Sequence, residues 1–191
     1  MTEASAIDFY FDFSSPYSYL LSEKIDTLAG HFGRKVRWHP ILLGIVFQHL
    51  GGKAPAEIPP KAAYMRHDVL RSARFLGVPF QWPQRFPIPT QTAARSYYWL
   101  HGQDCTLARR FAHAAFRAMF MEDRDISSPD TVLDIGASLD IDRAALSNAI
   151  AAPEMKDKLK LACADAISKG VFGAPWVIID GEPFWGVDRL P

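Results

Sequence analysis

Phe11-Asp12-Phe13-Ser14-Ser15-Pro16-Tyr17-Ser18-Tyr19-Leu20 is the stretch that decides the fold, because it joins a strand to a helix. Upstream, Ile7-Asp8-Phe9-Tyr10-Phe11-Asp12-Phe13 starts with apolar–polar alternation and is rich in aromatic residues, which reads as a strand with its more apolar end buried. Ser14-Ser15-Pro16 then starts a helix, since serine caps free N–H groups and proline suits the first helical position. Tyr19, Leu20, Glu23, Ile25, Leu28 and Ala29 continue it as an amphipathic stretch ending near Gly30-His31-Phe32-Gly33. Val36-Arg37-Trp38-His39-Pro40-Ile41-Leu42 reads as a second strand. The whole is a β-α-β unit, whose two strands are expected to pair in parallel.

Working outward, the middle of the chain is helical. Pro59-Pro60 opens a segment with Met65, Val69, Ala73 and Leu76 at helical spacing, closed by Gly77-Val78-Pro79. A proline-rich loop from Trp82 to Pro89 leads to Thr90, read as the cap of a helix running to Gly102. Leu107, Phe111, Ala115 and Met119 mark another helix, and Ser128-Pro129 and Asp142 cap two shorter ones. The aromatic residues of this block, Tyr97, Tyr98, Trp99, Phe111 and Phe116, are first of all core. The end of the chain turns back to sheet. Pro153 to Lys169 is a helix stopped by Gly170, Pro175-Trp176-Val177-Ile178-Ile179 a strand, Asp180-Gly181 a hairpin turn, and Glu182 to Gly186 the return strand. The order β-α-β, helices, α-β-β predicts a split α/β sheet with an inserted all-helical subdomain.

Composition narrows the function classes. Hydrophobic residues are 49% and charged residues 22%, as in an ordinary globular protein. Twenty-one basic residues balance 21 acidic ones, which removes any electrostatic reason for a nucleic-acid or anionic-membrane partner. No apolar run approaches the ~20 residues needed to span a bilayer. Met1-Thr2-Glu3-Ala4-Ser5 lacks the basic and apolar regions of a signal peptide, so a cytoplasmic protein is expected. Cys105 and Cys163 make no disulfide scaffold, and the six histidines have no metal-ligand spacing, so no metal is expected.

Two places could carry chemistry. The strand-to-helix junction at Ser14 and Ser15 is a natural anion site, where free N–H groups and the positive end of the helix dipole meet. A hydroxyl there can donate to a thiolate and lower its pKa, or it can simply cap the helix. Gly173-Ala174-Pro175-Trp176 is consistent with a cis X-Pro turn and equally with a proline that opens a strand. Ser15 with His39 does not form a hydrolase pair, for lack of a Gly-x-Ser-x-Gly elbow. Gly51-Gly52-Lys53-Ala54 lacks the remainder of a phosphate loop.

Residues 11–20, with Gly170-Val171-Phe172-Gly173-Ala174-Pro175 and Phe184-Trp185-Gly186-Val187-Asp188-Arg189-Leu190, resemble the 2-hydroxychromene-2-carboxylate isomerases. These are relatives of the kappa-class glutathione transferases in the disulfide-oxidase branch of the thioredoxin fold. The resemblance spans nearly the whole chain, including Pro40-Ile41-Leu42-Leu43-Gly44 and Arg124-Asp125-Ile126-Ser127. It implies one thioredoxin-like domain over residues 1–191. Residues 1–50 and 153–191 would form the thioredoxin-like part and residues 55–152 the helical insertion. A further helix is implied after Pro191.

The resemblance also implies a cofactor, glutathione, and its site. Ser15 would hydrogen-bond the glutathione sulfur and be the catalytic residue. Ala174, ahead of a cis Pro175, would pair its backbone with the cysteinyl part, as an added strand does. Trp185, Gly186, Val187 and Asp188 would hold the γ-glutamyl end, with Asp188 facing the ammonium group; Arg189 would be a structural ion-pair partner. Redox members of the fold carry Cys-x-x-Cys where this chain has Ser14-Ser15-Pro16-Tyr17, so disulfide exchange is not expected. The implied reaction is isomerisation of an aromatic unsaturated keto acid by reversible thiolate addition, bond rotation and elimination. A kappa-like transferase and a non-catalytic thioredoxin-fold binding module are the alternatives. The chain departs from the family on the substrate side: Phe47 replaces a lysine, and Gly52 and Pro89 replace asparagines. Arg66, Arg85, Lys53 and Lys61 are the remaining candidates for a substrate carboxylate, with the solvated-surface reading favoured for each. A homodimer is expected from the family.

Overall fold

A computed structural model describes residues 6–190; the readings of Met1–Ser5 and of Pro191 lie outside the described residues. The first strand, β1 (Ile7–Phe11), is buried along most of its length because its aromatic residues meet helices on one side and strands on both edges. It pairs in parallel with β2 (Val36–Pro40), in the register Phe9 to Trp38 and Phe11 to Pro40, as the β-α-β pattern requires. On its other edge β1 runs antiparallel to β3 (Trp176–Ile179), which forms a hairpin with β4 (Glu182–Trp185). The sheet order is β2-β1-β3-β4, a thioredoxin-like mixed sheet. Asp180 and Gly181 both take positive φ, 53° and 87°, which is the conformation of the turn that their sequence predicts.

The helix after β1 is two helices. α1 (Pro16–Ser22) and α2 (Ile25–His31) are separated at Glu23-Lys24, whereas the amphipathic pattern predicts one. The break turns Glu23 toward the side of the molecule where Arg117 and His113 hold its carboxylate. After β2 come α3 (Leu43–His49), a 3₁₀ turn at Pro55–Glu57, and α4 (Pro59–Leu76), which ends on Gly77 in the left-handed conformation. Then follow α5 (Gln91–His101), α6 (Cys105–Phe120), α7 (Pro129–Ala137), α8 (Arg143–Ala151) and α9 (Pro153–Ser168). Asp142 caps α8 by accepting from the Ala145 N–H, but Ser128 makes no side-chain cap.

A continuous aromatic core joins sheet to helices. Phe11 lies between Trp38, Phe116 and Tyr97, with ring centroids 5.4, 5.6 and 6.0 Å away, and Phe13 follows at 5.2 Å. Tyr97, Tyr98, Phe111 and Phe116 are buried as the sequence predicts, and Trp99 packs half-buried against them. Each fully buried ring contributes about 1.5–3 kcal/mol, so this cluster fixes where the C-terminal end of β1 emerges. The candidate site lies at that end.

Candidate active site

Asp12 follows β1 and is fully buried. Its Oδ1 accepts hydrogen bonds from Ser14 N (2.8 Å), Ser14 Oγ (2.9 Å) and Thr90 Oγ1 (2.8 Å). Its Oδ2 accepts from Leu43 N at 2.7 Å, and its backbone carbonyl accepts from Ser15 N at 2.9 Å. Burial pushes the carboxyl above its ordinary pKa, while these donors pull the other way. One side chain therefore ties the β1–α1 turn, the start of α3 and the start of α5 together.

The turn places Ser15 at the cap of α1. Its Oγ accepts from Ser18 N and donates to the Ala174 carbonyl, both at 3.1 Å. Ser15 thus caps the helix, and its side chain also lines the cavity described below. The Ala174-Pro175 bond is cis. The helix start offers fewer donors than the sequence suggests. Ser14 N and Ser15 N are taken by Asp12, Pro16 has no N–H, and Ser18 N is taken by Ser15 itself. Donation toward a bound anion is left to the Ser15 hydroxyl and the Tyr17 N–H in the first turn of α1.

Ser15 opens onto a cavity of about 1300 Å³. Ala174, Pro175, Trp185, Gly186, Val187 and Asp188 line it together with Phe47, Gly52 and Pro89, so all ten residues predicted from sequence border one cavity. Gly186 has φ of 100°, and the Asp188 carboxylate folds back into the space that a side chain there would need. The Trp185 indole lies over Gly173, where a Cβ would sit 2.6 Å from Nε1, and its ring meets Phe172 at 4.9 Å. Arg189 pairs with Asp188 at 3.4 Å in solvent, a contact worth little. Of the four cations considered for a carboxylate, Lys53 and Lys61 line the cavity. Arg66 instead lies 5.4 Å from the Trp82 ring centroid, and Arg85 pairs with Asp125. His39 is turned away from Ser15, bonded to Asp8 at 2.7 Å and stacked on Tyr10.

Sequence reasoning missed three contributors. Asp12 carries a local signal, a charge set between Phe11 and Phe13 at the end of an aromatic run. Tyr17 donates from its hydroxyl to Asp68 Oδ2 at 2.7 Å, which ties α1 to α4 along the cavity wall. Burial and the adjacent Asp68 carboxylate push the Tyr17 phenol well above its ordinary pKa, so it stays a donor. Asp68 lies on α4, far from Tyr17 in sequence, and no local signal connects them. The third is Leu42–Leu43, which line the cavity at the start of α3 with their N–H groups held by Cys163 and Asp12.

Residues 6–191 match the DSBA-like thioredoxin domain family. Over 96% of this chain and 93% of its own length, the 2-hydroxychromene-2-carboxylate isomerase of Sphingobium xenophagum is 32% identical. The chain belongs to the 2-hydroxychromene-2-carboxylate isomerase family, a family of enzymes within the DSBA-like thioredoxin domains. A solved structure of an isomerase of this name aligns with a TM-score of 0.85 at 27% identity, covering 97% of this chain and 91% of that one. The family borders a second one: glutathione S-transferase kappa 2 of Caenorhabditis elegans is 28% identical over 100% of this chain and 91% of its own. The cytosolic disulfide reductase DsbM of Pseudomonas aeruginosa, at 18% identity and a TM-score of 0.68, shares the fold alone. No helix among the described residues is long and apolar enough to cross a membrane.

Proposed function

We propose that the chain is a glutathione-dependent isomerase of an aromatic unsaturated keto acid, of the type that turns 2-hydroxychromene-2-carboxylate into trans-o-hydroxybenzylidenepyruvate. The observation that carries this reading is the Ser15 hydroxyl, 3.1 Å from the Ala174 carbonyl beside a cis Ala174-Pro175 bond, on the floor of a cavity of about 1300 Å³. That volume exceeds the ~300–1000 Å³ of an ordinary small-molecule pocket and suits a tripeptide together with a second molecule. The polar groups of the lining suit glutathione. They include a hydroxyl for the sulfur, the Ala174 backbone for the cysteinyl part, and the Asp188 carboxylate for an ammonium group, framed by Trp185, Gly186 and Val187.

When bound, glutathione would supply a thiolate that adds reversibly to a conjugated carbonyl, permits rotation about the former double bond and is released unchanged. Ser15 would hold its proton toward the sulfur and so favour the charged form. Lys61 and Lys53 would orient the carboxylate of the acceptor, and Phe47, Gly52 and Pro89 would bound its ring. Leu43 and Met65 would keep water from the reacting atoms.

Calorimetric titration of glutathione into wild type and Ser15→Ala, with thiolate absorbance followed over pH, tests the reading. Binding by wild type and a raised bound-thiol pKa in Ser15→Ala are expected. No binding at millimolar glutathione would sink it. A kappa-like transferase is the second reading, favoured by the apolar Phe47 on the acceptor wall. Recovery of unmodified glutathione after turnover separates isomerisation from conjugation. A homodimer and a cytoplasmic site of action belong to the same proposal on the family resemblance; sedimentation giving a monomer would remove the first, and fractionation of the source cells that places the protein outside the cytoplasm would remove the second.

A further inference from the structure

The strand ladders on both sides of β3 stop short of Ala174. With β1 the pairing ends at Tyr10 and Trp176; with β4 it ends at Trp176 and Trp185, followed by one bond from Gly186 N to the Pro175 carbonyl. The Ala174 carbonyl is left to Ser15 Oγ, which donates to it at 3.1 Å. Ser15 has one hydroxyl proton. While that proton serves Ala174 it cannot serve a sulfur, and once it turns away, a half-buried carbonyl loses its donor. The oxygen itself need not move, because Ser18 N holds it from the other side. Rotation about the Cβ–Oγ bond is sufficient, and such a motion is fast.

We propose that the Ser15–Ala174 hydrogen bond is an internal placeholder that a ligand must replace at both ends. The site then selects thiols that carry an amide N–H on the carbon next to the sulfur-bearing one. The N–H satisfies the Ala174 carbonyl, and this frees the Ser15 proton for the sulfur. A simple thiol without that N–H leaves the proton on Ala174 and gains no help with ionisation. The inference rests on the glutathione reading for the thiol itself, and adds which part of the molecule controls the sulfur's charge.

The test compares glutathione with its depsipeptide analogue, in which an ester oxygen replaces the cysteinyl N–H, on wild type and on Ser15→Ala. Dissociation constants and the pH dependence of thiolate absorbance are read for each pair. With wild type, the ester is expected to bind about tenfold more weakly or worse. Its bound thiol is expected to titrate near the free value of about 8.5, clearly above bound glutathione. With Ser15→Ala the two ligands are expected to show the same thiol pKa, since the hydroxyl that couples them is gone. Equal thiol pKa values for the two ligands on wild type would overturn the exchange while leaving the glutathione reading intact. Failure of wild type to bind glutathione overturns both. The wild-type comparison alone decides the matter if Ser15→Ala does not fold.

Discussion

Thr90 Oγ1 donates to Asp12 Oδ1 at 2.8 Å, joining the residue before α5 to the residue after β1 across 78 positions of sequence. The hydroxyl that the sequence offers as a helix cap makes no cap bond to α5 and serves a buried carboxylate instead. Asn in place of Asp12 would turn an N–H₂ toward neighbours that are themselves donors, leaving at least one unpaired. Asp12→Asn is expected to lose about 1–3 kcal/mol of stability. Chemical denaturation should show a lower midpoint at unchanged m; a variant within ~0.5 kcal/mol of wild type would refute the role assigned to Asp12.

Glu23 predicts a pH dependence. Burial by itself raises its carboxyl, but hydrogen bonds with His113 and Arg117 outweigh this and bring the pKa from 4.5 to about 2. A carboxylate with a depressed folded pKa contributes stability above its unfolded pKa and loses it as pH falls through the folded one. Wild type should therefore weaken between about pH 4.5 and 2, and Glu23→Gln should weaken less over that window. Parallel slopes for the two proteins would count against the pair.

Tyr17→Phe removes the hydroxyl that ties α1 to α4 at Asp68 and leaves the ring in place. One hydrogen bond of this kind is worth about 0.5–1.5 kcal/mol, or roughly two- to tenfold in an equilibrium. The effect should fall on the acceptor's KM, with the glutathione Kd nearly unchanged, because Ser15 and Ala174 do not touch Asp68. A change confined to glutathione binding would reverse the assignment of this wall.

At Gly186 the backbone has φ of 100°, a region that L side chains rarely adopt, and the Asp188 carboxylate occupies the place of the missing Cβ. Gly186→Ala is expected to destabilise the protein by about 1–2 kcal/mol and to displace Asp188. Wild type is expected to bind glutathione more tightly than its analogue lacking the γ-glutamyl amino group. The variant should bind the two alike, and a preserved preference would separate Asp188 from ammonium recognition.

The four strands, the longer helices, the Asp180-Gly181 hairpin and the helix start at Ser15 are legible in sequence, whereas α3 and the division of α1 from α2 are not. Each legible feature rests on a local rule: runs rich in aromatic and β-branched residues, a serine–proline helix start, a turn dipeptide with positive φ. The family motifs added the grouping of Ser15, Ala174 and Asp188. Other features have no local signal. α3 starts at Leu42–Leu43 without a capping side chain, because Leu43 N is satisfied by Asp12 and Leu42 N by Cys163 Sγ at 3.3 Å, both distant in sequence. The Glu23 break between α1 and α2 likewise faces partners on α6. Local propensity determined which segments form strands and turns. Tertiary structure decided which hydroxyl caps a helix and which serves a buried charge, because a hydrogen-bond donor follows the nearest unsatisfied acceptor in space and not in sequence.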